Sequence, residues 1–297
     1  MVSFFKRLRP LHMLSGVLLY AMGVGISDYL GGRIDVTTYI IGQLWVVAAQ
    51  AGFFFLGDSQ DRAIDRGLLN RPPFQQGKEG DGRLLDRDLS LWISVGFLAG
   101  AAVLTVVLVR MQVLGLPAAL LMTVFAAGYI LRVIPIVSSE LDGFEGLIHS
   151  LQLVMVIPAL AYLLQVGGFH RLLGLASFPI FSLHVAMVFV FQFPTYAADI
   201  RRGQNTMLTR MGWKNGIFLH NMLVLTAFIV LVGSLFLGFP APFGIPVLLA
   251  VPFAVFQVWY MIRIGQGAPT RWRLLMLTAV ILFLLPTYLL TYSFWSQ

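Results

Sequence analysis

The sequence predicts an all-α membrane protein: a bundle of nine transmembrane helices with its N-terminus in the cytoplasm and its C-terminus outside. Three observations predict it. The chain is 58% hydrophobic and only 11% charged, where a soluble domain carries roughly a quarter charged residues. Its apolar residues fall into blocks of the length that crosses a bilayer, about 20 residues per helix. Its basic residues gather in alternate loops.

The blocks run over residues 11–30, 36–57, 89–109, 112–131, 143–165, 172–195, 216–238, 243–262 and 273–292. None alternates polar and apolar residues as a barrel strand would, so helices are the structure that satisfies their backbone in lipid. The nine spans leave no length for a separate soluble domain, and residues 1–297 read as one transmembrane domain. The first block follows Lys6, Arg7 and Arg9, as a secretory signal would. Its length, the lack of a small-x-small cleavage site and the eight blocks behind it make it span 1 instead.

The net charge of +7 raises the question of nucleic acid, and the distribution of the charge answers it. Lys6, Arg7 and Arg9 precede span 1. Arg62, Arg66, Arg71, Lys78, Arg83 and Arg87 lie between spans 2 and 3, and Arg132 follows span 4. Arg201, Arg202, Arg210 and Lys214 follow span 6, and Arg263, Arg271 and Arg273 follow span 8. Only Arg33, Arg110 and Arg171 lie in the other loops, so 17 of 20 basic residues share one side. The positive-inside rule makes that side the cytoplasm. The charge is a topology signal and not a nucleic-acid surface. There is no cysteine, which excludes disulfides, thiolate metal sites and cysteine nucleophiles.

The two long loops, 58–88 and 196–214, are both cytoplasmic and follow spans 2 and 6. Each opens on acidic residues and continues into basic ones, a pattern that suggests two related four-helix units. In span 3, Gly96 and Gly100 form a G-x-x-x-G, which reads as close helix packing. His12, His149, His170, His184 and His220 show no ligand spacing and read as packing or interfacial residues.

The chemistry-bearing residues sit at the inner helix ends. Asp58-Ser-Gln-Asp61-Arg-Ala-Ile-Asp65-Arg66 continues span 2. Asp61 and Asp65 are four apart and project from one helical face, where they repel unless a cation lies between them. Hard oxygens at that spacing suit Mg²⁺, and neighbouring arginines suit diphosphate oxygens. The other reading is a solvated loop of Asp–Arg pairs, each worth about 0–1 kcal/mol. A second run is Pro194-Thr-Tyr-Ala-Ala-Asp199-Ile-Arg-Arg202-Gly203-Gln-Asn-Thr206, and Asp199 is the only carboxylate after Glu145. Tyr129 and Arg132, three apart at the inner end of span 4, share a face; Arg132 reads either as an anion ligand or as an interfacial anchor. Asp142-Gly-Phe-Glu145 opens span 5 and reads as a capping box, with Glu145 also open to a site role.

These motifs resemble those of the UbiA-type intramembrane prenyltransferases, and the resemblance spans nearly the whole chain. The family's first motif, N-D-x-x-D-x-x-x-D-R followed by R-P, is matched by Gly57-Asp58-Ser-Gln-Asp61-Arg-Ala-Ile-Asp65-Arg66 and then Arg71-Pro72. Its second, D-x-x-x-D-x-x-x-G-x-x-T, is matched by Thr195-Tyr-Ala-Ala-Asp199-Ile-Arg-Arg-Gly203-Gln-Asn-Thr206. Arg9-Pro10 before span 1 is also typical. Phe193-Pro194 ahead of Asp199 is closest to the menaquinone-type branch. Gly57 stands where the family has Asn, Thr195 where it has Asp, and Gln204-Asn205 where Lys-Arg is common.

The resemblance implies Mg²⁺-dependent transfer of a prenyl group from a prenyl diphosphate to a lipid-soluble, aromatic or quinone-precursor acceptor in the cell membrane. It implies Asp58, Asp61, Asp65 and Asp199 as metal ligands, with Asp61, Asp65, Asp199 and Arg132 at the catalytic centre. It implies Arg66, Arg71, Arg202 and Tyr129 on the diphosphate. A terpene cyclase using the same donor, or a non-catalytic lipid-binding relative, is the alternative.

The topology is directly testable because the native chain has no cysteine. An impermeant maleimide should label Gly168→Cys in intact cells and Gly80→Cys only after permeabilisation. Labelling at position 80 from outside contradicts the assigned sidedness.

Overall fold

The computed structural model describes residues 10–64, 87–133, 143–201 and 203–296, with side chains at 11–59, 88–131, 143–201 and 203–296. Among these residues there are helices and turns and no strand. The helices are α1 (Pro10–Tyr29), α2 (Val36–Ile64), α3 (Arg87–Arg110), α4 (Leu116–Val133), α5 (Glu145–Leu151), α6 (Ile157–Val166) and α7 (Arg171–Gln192). They continue as α8 (Tyr196–Arg201), α9 (Met207–Met211), α10 (Trp213–Phe236), α11 (Ala241–Val247), α12 (Val251–Gly265) and α13 (Trp272–Trp295). A π-helical segment, Gln152–Val156, joins α5 to α6, and 3₁₀ turns join α7 to α8 and α11 to α12.

Eight helical stretches among the described residues are long and apolar enough to cross a membrane, and Leu116–Leu131 is a ninth, shorter apolar helix. They coincide with the nine apolar blocks. With 18 residues, α4 rises about 27 Å, close to the roughly 30 Å of a hydrocarbon core. The protein is an integral, multi-pass membrane protein.

The chain divides into two compact units: Met1–Leu141 with Val156–Phe169, and Asp142–Met155 with His170–Gln297. In the first unit α2 is the central element. Three polar links fasten α3 along it. Ser94 Oγ donates to the Gly52 carbonyl at 2.8 Å, Trp45 Nε1 to Thr105 Oγ1 at 2.9 Å, and Ser90 Oγ to Asp58 Oδ2 at 3.2 Å. Gly52 makes the approach possible, since a Cβ there would lie 2.8 Å from the Leu98 side chain. On another face Phe53 stacks on Tyr129 of α4, centroids 5.0 Å apart and planes 5° apart, with Phe125 5.2 Å from Tyr129. The α1 helix closes on α6 at Gly23, where a Cβ would overlap the Pro158 carbonyl.

Two sequence expectations are corrected here. Gly96 and Gly100 do not mediate close packing within the chain: a Cβ at either would meet nothing within 4 Å among the described residues. The close approach of α3 falls at Leu98, between them, against Gly52. The helix that follows Asp142 also does not start where a cap at Asp142 would put it. Gly143 turns the chain with φ +86°, the helix starts two residues later, and Phe144 is the N-cap without a side-chain hydrogen bond. Asp142 lies outside the described residues, and Glu145 sits in the first helical turn.

The second unit packs α7 against α10 and α13, with Leu183, Ala186, Val224, Ala227 and Leu282 in its core. The histidines behave as expected from sequence. His170 caps α7 by accepting from Leu172 N at 3.2 Å, His184 Nδ1 pairs with Ser150 Oγ at 2.7 Å, and His220 Nδ1 pairs with Asn221 Oδ1 at 2.9 Å.

The start of α2 is held by Asp35. Its carboxylate accepts from Thr38 Oγ1 at 2.6 Å and from Thr37 N at 3.0 Å. The Gln165 amide clasps the same residue, accepting from Asp35 N at 3.0 Å and donating to Asp35 O at 3.2 Å. The Thr38 hydroxyl, helped by the two backbone amides, holds the Asp35 carboxyl below its usual range. A carboxyl whose folded-state pKa is depressed stabilises the cap above its unfolded pKa of about 3.9 and loses that contribution as the pH falls through the folded pKa. The protection factors of the Thr37 and Thr38 amides, taken relative to intrinsic exchange at each pH, should therefore fall on acidification in the wild type. Asp35→Asn, which keeps an acceptor oxygen but does not titrate, should remove the pH dependence. An unchanged acid profile in Asp35→Asn contradicts the assignment.

Candidate active site at the helix ends

The second acidic motif is built by a helix that has to stop and restart. Pro194 lacks an N–H and cannot continue the ladder of α7. The chain tightens into the 3₁₀ turn Phe193–Thr195 and resumes as the six-residue α8. That turn carries Asp199 inward, 4% exposed. Thr195 Oγ1 donates to Asp199 Oδ2 at 2.7 Å, and the Asp199 carbonyl accepts Gln204 N at 2.9 Å. Gly203, at φ +67°, then reverses the chain.

The returning segment is pinned from two sides. Gln192 Oε1, at the end of α7, accepts Leu208 N at 3.0 Å. Thr206 and Thr209 form a reciprocal cap: Thr206 N donates to Thr209 Oγ1 at 2.7 Å, and Thr209 N to Thr206 Oγ1 at 3.1 Å. Aromatic rings wall the same region. Trp213 lies 5.0 Å from Phe193 and 5.3 Å from Tyr196, and 6.3 Å from Trp272. Arg210 is exposed, its guanidinium 5.3 Å from the Phe144 ring centroid.

In the first unit, α2 stays helical through Ile64, so Asp61 falls on the helix as the spacing predicts, four residues beyond Gly57 on one face. The side chains of Asp61 and Arg132 lie outside the described ones, and Asp65, Arg66, Arg71 and Arg202 lie outside the described residues. Asp58 is half-buried and accepts from Ser90, the direction expected of a residue turned about 100° from Gly57. Tyr129 is half-buried, its ring fixed by Phe53 and Phe125.

The donor set suits a hard cation. An acid near a helix C-terminus faces the negative end of the helix dipole, an arrangement disfavoured by about 0.3–1 kcal/mol unless a positive charge offsets it. Asp61 in the last turn of α2 occupies that position, while Asp199 lies in the first turn of the short α8. Among the described residues no three His, Asp or Glu side chains gather as a ready-made metal cage. One or two carboxylates completed by substrate phosphate and water is the Mg²⁺ pattern.

No family model matches the sequence, and no curated protein matches it. Solved structures do. A digeranylgeranylglyceryl phosphate synthase superposes with a TM-score of 0.62 at 15% identity, over 99% of this chain and 98% of that one. A UbiA homologue from Archaeoglobus fulgidus, bound to DMAPP and Mg²⁺, superposes with a TM-score of 0.61 at 14% identity, over 97% and 98%. The chain has the UbiA-type fold. Within that fold, the sequence motif names Asp199, Thr195 and Thr206, and the structure adds how they are bonded. Thr195 is engaged as a donor to Asp199, and Gln192 and Thr209 lie outside the motif. The available signal was a run of short polar residues just beyond an apolar span, where they pair with backbone ends.

A hydroxyl donating to a carboxylate contributes about 1.5–3 kcal/mol. Replacing it by a second acid makes the turn depend on a cation. Thr195→Asp should lower the melting temperature in EDTA and recover it in Mg²⁺, whereas the wild type should change little. Melting of Thr195→Asp that is insensitive to Mg²⁺ contradicts a cation at Asp199.

Proposed function

We propose that this protein is a Mg²⁺-dependent intramembrane prenyltransferase. It moves the prenyl group of a prenyl diphosphate to a lipid-soluble aromatic acceptor of the quinone-precursor type. The observation that carries the reading is the buried Asp199 carboxylate, held by the Thr195 hydroxyl, in a chain with the fold of a UbiA homologue bound to DMAPP and Mg²⁺.

In this proposal Asp58, Asp61, Asp65 and Asp199 are the carboxylates that would hold Mg²⁺. Bound Mg²⁺ would supply charge neutralisation for the leaving diphosphate. Thr195 fixes the rotamer of Asp199, so that its carboxylate is preorganised and does not reorient as charge develops. Arg66, Arg71 and Arg202 take diphosphate oxygens as charge-assisted donors, Arg132 takes the oxygen nearest the breaking bond, and the Tyr129 hydroxyl donates to the same group. The allylic C–O bond breaks with its electron pair on the diphosphate. The acceptor ring then forms the new bond to the allylic carbon and loses a proton. Phe193, Tyr196 and Trp213 keep water from the cation and present π faces to it.

Membranes incubated with labelled prenyl diphosphate, Mg²⁺ and a panel of phenolic and naphtholic acceptors should yield a prenylated acceptor by mass analysis. Asp61→Ala, Asp65→Ala and Asp199→Ala should each reduce turnover by at least about 10²-fold, the usual cost of losing a transition-state charge stabiliser. Full activity in these variants contradicts the metal-assisted reading. A cyclised hydrocarbon or alcohol in place of a prenylated acceptor makes the protein a cyclase, and no turnover of any donor makes it a lipid-binding protein.

A further inference from the structure

The second unit carries a basic rim that the transferase reading does not use, and three helix ends meet to form it. The Trp213 and Trp272 rings lie 6.3 Å apart and set the start of α10 beside the start of α13. The Tyr260 hydroxyl accepts Arg271 N at 2.7 Å and donates to the Pro269 carbonyl at 3.3 Å, which ties the end of α12 to the start of α13. Gly265 closes the third side: a Cβ there would lie 3.3 Å from the Ile217 side chain of α10. Lys214, Arg263, Arg271 and Arg273 are thereby carried to one patch, and all four are exposed.

No acid of this part of the chain neutralises them. No Asp or Glu follows Asp199, and Asp199 is itself buried, with its carboxylate on the Thr195 hydroxyl. Like charges brought together repel, so the patch favours an anion from outside the chain. Both α10 and α13 begin here and neither has a side-chain cap, so their first-turn N–H groups add partial positive charge to the same place.

The apolar surface beside the patch selects the kind of anion. One turn deeper into the span from Lys214 stands Phe218, 64% exposed, and one turn deeper from Arg273 stands Leu277, 54% exposed. On α12, which ends at the patch, Trp259 holds the same place relative to Arg263 and is 54% exposed. Each cation thus stands directly above an exposed apolar side chain, and a headgroup contact and an acyl-chain contact are offered together. A soluble anion would use only the first. Trp213 and Trp272 are rings of the amphipathic type that lies at headgroup depth.

We propose that this patch binds an anionic glycerophospholipid, with its phosphate between Lys214, Arg271 and Arg273 and its chains descending along Phe218 and Leu277. Basic clusters between spans recognise anionic headgroups, and a choline headgroup would add an ammonium that the patch repels. The site uses none of the residues assigned to the metal or the diphosphate and does not depend on the transferase reading.

The test is native mass spectrometry of the full chain, released from detergent micelles that contain dioleoylphosphatidylglycerol or dioleoylphosphatidylcholine. The wild type should hold the first phosphatidylglycerol at least about tenfold more tightly than phosphatidylcholine. Lys214→Gln, Arg271→Gln and Arg273→Gln should each weaken phosphatidylglycerol binding about fivefold, and the triple variant should show no preference. Arg273→Lys, which keeps the charge, and Arg110→Gln, at the C-terminal end of α3, should bind as the wild type does. Tyr260→Phe keeps every charge but releases Arg271 N, and should weaken binding about threefold. Excess inorganic diphosphate should not displace the lipid. A wild type without preference for phosphatidylglycerol overturns the proposal. So does a loss in Arg110→Gln equal to that in Arg273→Gln, or undiminished binding in Tyr260→Phe, since either makes the attraction a diffuse effect of net charge. Displacement by diphosphate makes the patch a soluble-anion site and overturns the lipid assignment.

Discussion

In a bilayer every backbone N–H and C=O must be bonded within the helix that carries it, and an ionisable side chain is driven to the helix ends. That constraint organises this protein. It accounts for the all-helical architecture and for a chain with 13 acidic residues that places just one, Asp199, after Glu145. It also creates the tension at the candidate site. Asp61 falls in the last turn of α2, the end of a helix at which a carboxylate is least welcome. Asp199 is buried in the short helix that follows span 6, restrained by a hydroxyl four residues earlier and preceded by a proline in the 3₁₀ turn.

The Thr195–Asp199 pair shows how a departure from a motif can be read physically. At the position where the motif that the sequence resembles has an acid, a threonine carries no charge and donates one hydrogen bond. The turn can then fold with no cation, because the remaining carboxylate has a partner already. Gly57 makes the matching change on α2, where it presents no side chain at all and a Cβ would meet nothing within 4 Å among the described residues. Thr195 removes a ligand charge and Gly57 a neutral ligand, and both leave the helical register of Asp61 and Asp199 intact.

The sequence made the spans legible because bilayer thickness fixes helix length, and all nine apolar blocks appear as helices among the described residues. Asp199 and the helical position of Asp61 were legible because the i, i+4 spacing is local. What was not legible depended on neighbours distant in sequence or on turn geometry. Gly96 and Gly100 carry the right spacing for close packing, yet it is Leu98 that meets Gly52, since the spacing does not say which face turns inward. The start of α5 falls two residues later than a cap at Asp142 implies, because Gly143 takes a left-handed turn. The Gln165 clasp on Asp35, 130 residues apart, has no local signal at all.

The central claim is that Asp199 holds a divalent cation together with a diphosphate. The most direct measurement is electron paramagnetic resonance of Mn²⁺, a spectroscopic stand-in for Mg²⁺, titrated into the purified protein with a non-hydrolysable prenyl diphosphate analogue. The wild type should bind Mn²⁺ tightly only when the analogue is present, and Asp199→Asn should lose that binding while keeping its melting temperature. Equal Mn²⁺ affinity in wild type and Asp199→Asn would contradict the account.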